Sequence, residues 1–166
     1  MKIVPCRGSD GAALWQLAQD GGNLEVNTPY CYLMMAELFG QTTLVAENGQ
    51  GPAGFVMAFP PPQRPDTVFV WQIGVSPQAR GQGLATKLLQ ALMQRSGAAY
   101  LEASVTPSNQ ASLALFRGAA RRWGVDCHED TFLAADMFPR PHEEELLLRI
   151  GPVGPEKLGG SHGSIQ

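Results

Sequence analysis

The chain has 166 residues, of which 44% are apolar and only 16% charged, with a net charge of −3. That length suits one domain and the apolar share is enough for a sizeable core, while the charge falls below the quarter or so usual in globular proteins. A disordered polyelectrolyte and a coiled coil are excluded, and so is broad nucleic-acid binding, which lives on basic surface.

Cys6, Cys31 and Cys127 are an odd number of cysteines without CxxC spacing, so neither a disulfide framework nor a structural metal site is expected. The opening MKIVPCRGSD lacks the apolar region of a signal peptide. No apolar run approaches the ~18 residues of a membrane span. The expectation is a reduced, cytoplasmic protein with no membrane contact.

In chain order, Ser9-Asp10 precedes apolar Ala13, Leu14, Leu17 and Ala18, a short amphipathic helix. After a Gly-Gly break and LEVNTP, a second helix runs from Tyr30 to Phe39 and stops at Gly40. Thr42–Glu47 and Ala53–Phe59 flank the turn cluster Asn48-Gly49-Gln50-Gly51 as a hairpin. Pro60, Pro61, Pro62 and Pro65 make a stiff connector. Val68–Val75 is apolar on both faces, as a central strand should be. Leu84, Ala85, Leu88, Leu89, Leu92 and Met93 repeat at helical spacing, predicting a helix over about 83–95. A strand follows at Tyr100–Thr106, then a helix that opens at Pro107-Ser108-Asn109, with Ser108 as N-cap. Phe132–Phe138 and Glu144–Ile150 are two further expected strands. The result is a mixed α/β domain over residues 1–150, with a mobile Gly/Pro-rich tail over 151–166.

The chemical signal lies between the central strand and the strong helix, at Val75-Ser-Pro-Gln-Ala-Arg80-Gly81-Gln82-Gly83-Leu84-Ala85. Two glycines permit a tight turn whose amides point inward, and a helix N-terminus adds its partial positive charge. Arg80 is a further donor. The third glycine of a dinucleotide fingerprint is replaced by Thr86, and no GK[ST] is present. The segment reads as a pyrophosphate cradle.

Val75-x-Pro77-x-x-Arg80-Gly81-x-Gly83-x-Ala85 resembles the acetyl-CoA loop of the GNAT N-acetyltransferase superfamily, and the element order resembles that fold from the first helix to Ile150. The resemblance implies an α+β single domain with a mixed, mostly antiparallel central sheet flanked by helices. It also implies acetyl-CoA contacts from Ile73, Val75, Arg80, Gly81, Gln82, Gly83, Leu84, Ala85, Asn109, Ser112 and Phe116. Longer blocks resemble one family, the L-2,4-diaminobutyrate acetyltransferases of ectoine biosynthesis. They are Leu24–Leu33, Pro61-Pro62-x-Arg64-Pro65-Asp66, Phe69–Gln72, Leu101-Glu102, Thr106–Ser112 and His142–Pro152. The family usually shows Leu-Asp-x-Asn in the first block, where this chain has Glu25, one methylene longer.

That resemblance implies Glu25, Asn27, Tyr30, Tyr32, Trp71, Glu102, His142 and Glu145 around the amine substrate, and a homodimer. Direct transfer in a ternary complex without an acetyl-cysteine is expected because no cysteine lies in a recognisable nucleophile setting: Cys31 sits in a helix beside two tyrosines, with no motif-placed base. An alkyl ammonium has a pKa of about 10.4, so freeing the amine at pH 7 costs on the order of 4–5 kcal/mol. The central strand Val68–Val75 offers no carboxylate to accept that proton. Glu102, His142 and Glu145 are therefore the candidate catalytic groups, with their division of labour open. Leu113-Ala114-Leu115-Phe116 has no tyrosine to protonate the leaving thiolate, which leaves charged or takes a proton from water. Another small amine as acceptor, and a non-catalytic acyl-CoA-binding module, remain the alternatives.

Overall fold

The computed structural model describes residues 1–22 and 24–159. In chain order they form β1 (Lys2–Pro5), α1 (Gly11–Gly21), α2 (Pro29–Leu38), β2 (Thr43–Glu47), β3 (Pro52–Phe59), β4 (Thr67–Val75), α3 (Leu84–Ser96), β5 (Tyr100–Val105), α4 (Gln110–Trp123), β6 (Cys127–Leu133) and β7 (Glu145–Ile150). The strands make one sheet ordered β1-β2-β3-β4-β5-β7-β6. Only the β4–β5 pair is parallel, so the sheet is mixed and mostly antiparallel, as expected.

Alternation along the strands splits the core in two. Leu44, Ala46, Val56 and Ala58 face α3 and α4, packing with Leu88, Leu89, Leu92 and Phe116. Val45, Phe55 and Met57 face the other way, against Leu14 and Leu17 of α1 and Tyr32 and Met35 of α2. Each fully buried side chain of this size contributes roughly 1.5–3 kcal/mol from loss of water contact, so both layers are fastened to the sheet by its two-residue period.

Two irregularities create the working surface. The register of β3 against β4 slips between Met57 and Ala58, leaving Trp71 as an extra residue between Val70 and Gln72. Such a bulge bends a strand and re-aims a side chain. On the other edge, β4 pairs with β5 only from Thr67 to Val70. Beyond that point the parallel strands part, and Ile73, Gly74 and Val75 line the opening.

Four expectations are corrected. The strand before β7 is Cys127–Leu133, whereas Ala135–Met137 is a single 3-10 turn. A short strand, β1, precedes the first helix. The cap of α4 is Asn109, whose side chain accepts from the Ser112 amide at 3.1 Å, not Ser108. Residues 151–159, expected in a mobile tail, pack on the domain: Val153 and Leu158 are buried, and Gln90 and Gln94 both donate to the Leu158 carbonyl at 2.7 and 2.8 Å. The remainder of the expected tail, 160–166, lies outside the described residues.

Candidate active site

Two clefts open side by side where β4 and β5 diverge. The first, of about 330 Å³, is lined by Ile73, Gly74, Val75, Arg80, Gly81, Gly83, Leu84, Ala85, Asn109 and Ser112, among others. The second, of about 670 Å³, is lined by Glu25, Asn27, Arg64, Trp71, Ser104, His142 and Glu145, with aromatic walls from Phe59, Phe69, Phe132 and Phe138. Leu24 and Asn109 line both, so the clefts meet there.

The first cleft fits an acyl-CoA by its backbone. Gly81 and Gly83 have φ of +74° and +71°, and a Cβ at either would meet open space. The glycines therefore serve the left-handed turn that leads into α3, and not packing. Chain direction then aims the first amides of α3 at the cleft, where an anion is favoured by the helix dipole. Arg80 reaches across to donate to the Gly21 carbonyl at 2.6 Å, at the C-terminal end of α1. Arg80→Ala is expected to weaken CoA binding about tenfold, as loss of one charge-assisted contact should. Isothermal titration reads that change, with the melting temperature nearly unmoved because the side chain is exposed.

Not every expected cofactor residue is there. Phe116 is 2% exposed within the core beneath α4, and Leu115, one position earlier, faces the cleft instead. Gln82 is exposed and donates to the Gln78 carbonyl, outside the cleft lining.

In the second cleft, the segment carrying Glu25 and Asn27 is held from below. Tyr32 is fully buried and its hydroxyl donates to Gln72 at 2.7 Å; Gln72 in turn donates to the Glu25 carbonyl at 2.7 Å. Trp15 donates to the Asn27 carbonyl at 3.2 Å. Tyr32 is thus an anchor under the site and not a wall of it, a correction to the sequence reading. Tyr30 is 72% exposed and lines neither cleft. The one sequence signal for the Gln72 relay is a lone glutamine in an apolar strand.

Glu102 is also placed differently. It is 1% exposed, with Oε1 accepting from Arg64 Nε and Nη2 at 2.9 and 2.7 Å and Oε2 accepting from Arg149 Nη1 at 3.0 Å. Both oxygens are committed to guanidinium groups and the residue lines neither cleft. A buried carboxylate paired with two guanidinium groups and away from both clefts is not placed to take up an amine. Glu145 lines the second cleft, half-buried at the start of β7, with one oxygen accepting from Ser104 Oγ at 2.7 Å.

His142 sits at the mouth, stacked on Phe138 with ring centroids 4.0 Å apart. Its Nδ1 lies 2.6 Å from the Glu143 carbonyl, and its Nε2 lies 3.7 Å from Glu25. The carbonyl and the nearby carboxylates of Glu25 and Glu145 favour the protonated ring, holding its pKa above the usual 6.5. A raised pKa means the ring stays charged to higher pH and turns neutral only above its ordinary range. In Glu25→Gln one of those carboxylates is gone, so the His142 midpoint read by NMR should move down toward 6.5; an unchanged midpoint would place Glu25 out of contact.

The family model described as "Acetyltransferase (GNAT) family" matches residues 12–119. An L-2,4-diaminobutyric acid acetyltransferase from Halalkalibacterium halodurans is 49% identical over 150 residues, covering 88% of this chain and 79% of that protein. This chain belongs to the L-2,4-diaminobutyric acid acetyltransferase family, within the GNAT acetyltransferases. Its relative from Nocardia farcinica is 41% identical over 89% of this chain and 78% of that protein. Among solved structures, diaminobutyrate acetyltransferase from Paenibacillus lautus, in complex with its substrate L-2,4-diaminobutyric acid and coenzyme A, superposes with a TM-score of 0.87. It is 37% identical, over 92% of this chain and 95% of that one. The ribosomal-protein-S18-alanine N-acetyltransferase of Escherichia coli, at 16% identity and a TM-score of 0.65, shares the fold. Like its family, this chain is an N-acetyltransferase that uses acetyl-CoA. Its described helices include none long and apolar enough to cross a membrane.

Proposed function

We propose that this chain transfers the acetyl group of acetyl-CoA to the 4-amino group of L-2,4-diaminobutyrate, giving N4-acetyl-L-2,4-diaminobutyrate and CoA for ectoine biosynthesis. The observation that carries this is the meeting of two unlike clefts at Leu24 and Asn109: an amide-lined anion cradle on one side, and a pocket with Glu25 and Glu145 on the other. A diamino acid brings two ammonium groups that such carboxylates match.

Acetyl-CoA supplies an activated carbonyl, and the chain's own residues do the rest. Gly81, Gly83, Leu84 and Ala85 hold the pyrophosphate through backbone amides, with Arg80 beside them. Ile73 and Val75 offer the pantetheine arm backbone groups on the edge that β5 leaves unpaired, and Asn109 and Ser112 flank it. Trp71, aimed by its bulge, walls the amine pocket. Glu25 and Glu145 receive the amines, and Asn27 completes the approach. Glu145 takes up the ammonium that reacts, and its proton passes to solvent by way of His142 at the mouth.

The amine attacks directly, with no acetyl-cysteine. Burial pushes the Cys31 thiol up and Cys6 up to about 12, so neither is a thiolate near neutrality. Neither lines either cleft. A homodimer in the cytoplasm completes the reading; exposed Val26, Tyr30, Leu33 and Leu38 on and beside α2 support the first part, and three free thiols the second. NMR of the product tests the function. Acetylation at the 4-nitrogen is expected; acetylation at the 2-nitrogen, or none, would overturn it.

A further inference from the structure

We infer that Arg64 is the residue that recognises the α-carboxylate of the acceptor, and that Glu102 is the positioning residue that holds it there. The inference rests on the functional reading above, which supplies a substrate with one carboxylate and two amines. Two carboxylates of the second cleft, Glu25 and Glu145, suit the amines; the carboxylate needs a cation. The cleft offers two, Arg64 and His142. His142 already faces Glu25 and the Glu143 carbonyl.

Arg64 is built for the task. Nε and Nη2 both point at Glu102 Oε1, whereas Nη1 finds no protein acceptor among the described residues. Its side chain is 40% exposed while Glu102 is 1% exposed, and Arg64 lines the cleft whereas Glu102 does not, so the arginine bridges a buried carboxylate and the open pocket. Glu102 carries one negative charge and is paired with two cations, since Arg149 takes its second oxygen at 3.0 Å and stacks on the Tyr100 ring at 3.8 Å. Arg64 and Arg149 share the one Glu102 carboxylate, with Asp66 reaching the Arg149 side through the Thr67 hydroxyl, and a substrate carboxylate is the counter-ion that fits the Arg64 side.

The backbone is fixed as well. The Arg64 amide donates to the Pro61 carbonyl at 3.0 Å, and its carbonyl accepts from the Thr67 amide at 3.1 Å. Prolines 60, 61, 62 and 65 surround it, each with a preset φ. The donor is therefore positioned before substrate arrives, which lowers the ordering cost of binding.

The test compares L-2,4-diaminobutyrate with 1,3-diaminopropane, the same diamine without a carboxylate, in steady-state thiol release. In Arg64→Gln, KM for diaminobutyrate should rise about 10- to 100-fold, as expected for losing a charge-assisted contact. For 1,3-diaminopropane kcat/KM should stay within about twofold of wild type, since that acceptor never used the contact. Arg64→Lys should recover part of the loss. Arg149 still pairs Glu102 in these variants, and a single cooperative melting transition, lowered by no more than in Glu102→Ala, verifies the fold. Equal losses with both acceptors, or no loss with either, would overturn the inference and leave Arg64 a purely structural partner. If wild type acetylates neither compound, the functional reading itself fails and the inference falls with it; if wild type is active on diaminobutyrate, only the ratio between acceptors decides.

Discussion

Glu145→Gln is expected to lower kcat/KM for diaminobutyrate by about 100-fold or more, the usual scale for a positioned proton acceptor. Glutamine keeps the shape, and its carbonyl can still accept from the Ser104 hydroxyl that lies 2.7 Å from Glu145. What disappears is the negative charge in a pocket that must receive an ammonium and release it as an amine. Because the free amine at pH 7 is rare, by roughly three powers of ten for a pKa of about 10.4, removing the acceptor should act mainly on kcat. A variant in which KM alone rose would make Glu145 a binding residue only. Steady-state kinetics over pH 7–9 reads the difference. A loss below about threefold across that range would remove Glu145 from the chemistry.

The second large effect is on stability. Glu102→Ala should cost about 2 kcal/mol, less than the roughly 3–5 kcal/mol of removing one member of a fully buried ion pair. The discount follows from the partners, because Arg64 and Arg149 are 40% and 31% exposed and regain water when the carboxylate goes. For a domain of this size that corresponds to a fall of about 4–8 °C in Tm. The network joins the proline-rich loop through Arg64, β5 through Glu102 and β7 through Arg149, which also donates to Thr67 of β4 at 3.1 Å. A Tm within about 1 °C of wild type would show that the three elements do not depend on it.

Residues that repeat on a clear period were legible in the sequence. Leu84, Leu88, Leu89 and Leu92 define α3 by spacing alone, and the apolar run of β4 announces a buried centre. Where period and burial part company, the sequence misleads. Strand β6 reads CHEDTFL and is exposed along most of its length as the sheet's edge, so no apolar alternation marks it. The apolar stretch just after it looked like a strand but folds as a single turn. Glycine and proline hid the packed segment 151–159, where Val153 and Leu158 are the buried hydrophobic side chains.

At the site, backbone-dependent features were the legible ones. The Arg80–Ala85 loop stands where the glycine pattern put it, because only glycine takes positive φ at 81 and 83 without strain. Side-chain roles were harder. Phe116 and Leu115 differ by one position on a helix, about 100° of rotation, and that alone decides which faces the core and which the cleft. A carboxylate in an apolar strand must have a partner, but the partners of Glu102 come from positions 38 and 47 residues away. That pairing is a property of the fold, and so is the assignment of Arg64 to the acceptor pocket.

The most direct measurement is thiol release from acetyl-CoA with L-2,4-diaminobutyrate, ornithine, lysine, putrescine and a short peptide as acceptors. A kcat/KM for diaminobutyrate at least tenfold above every other acceptor is the predicted result. Equal or greater turnover of another amine, or CoA binding without turnover of any of them, would contradict it.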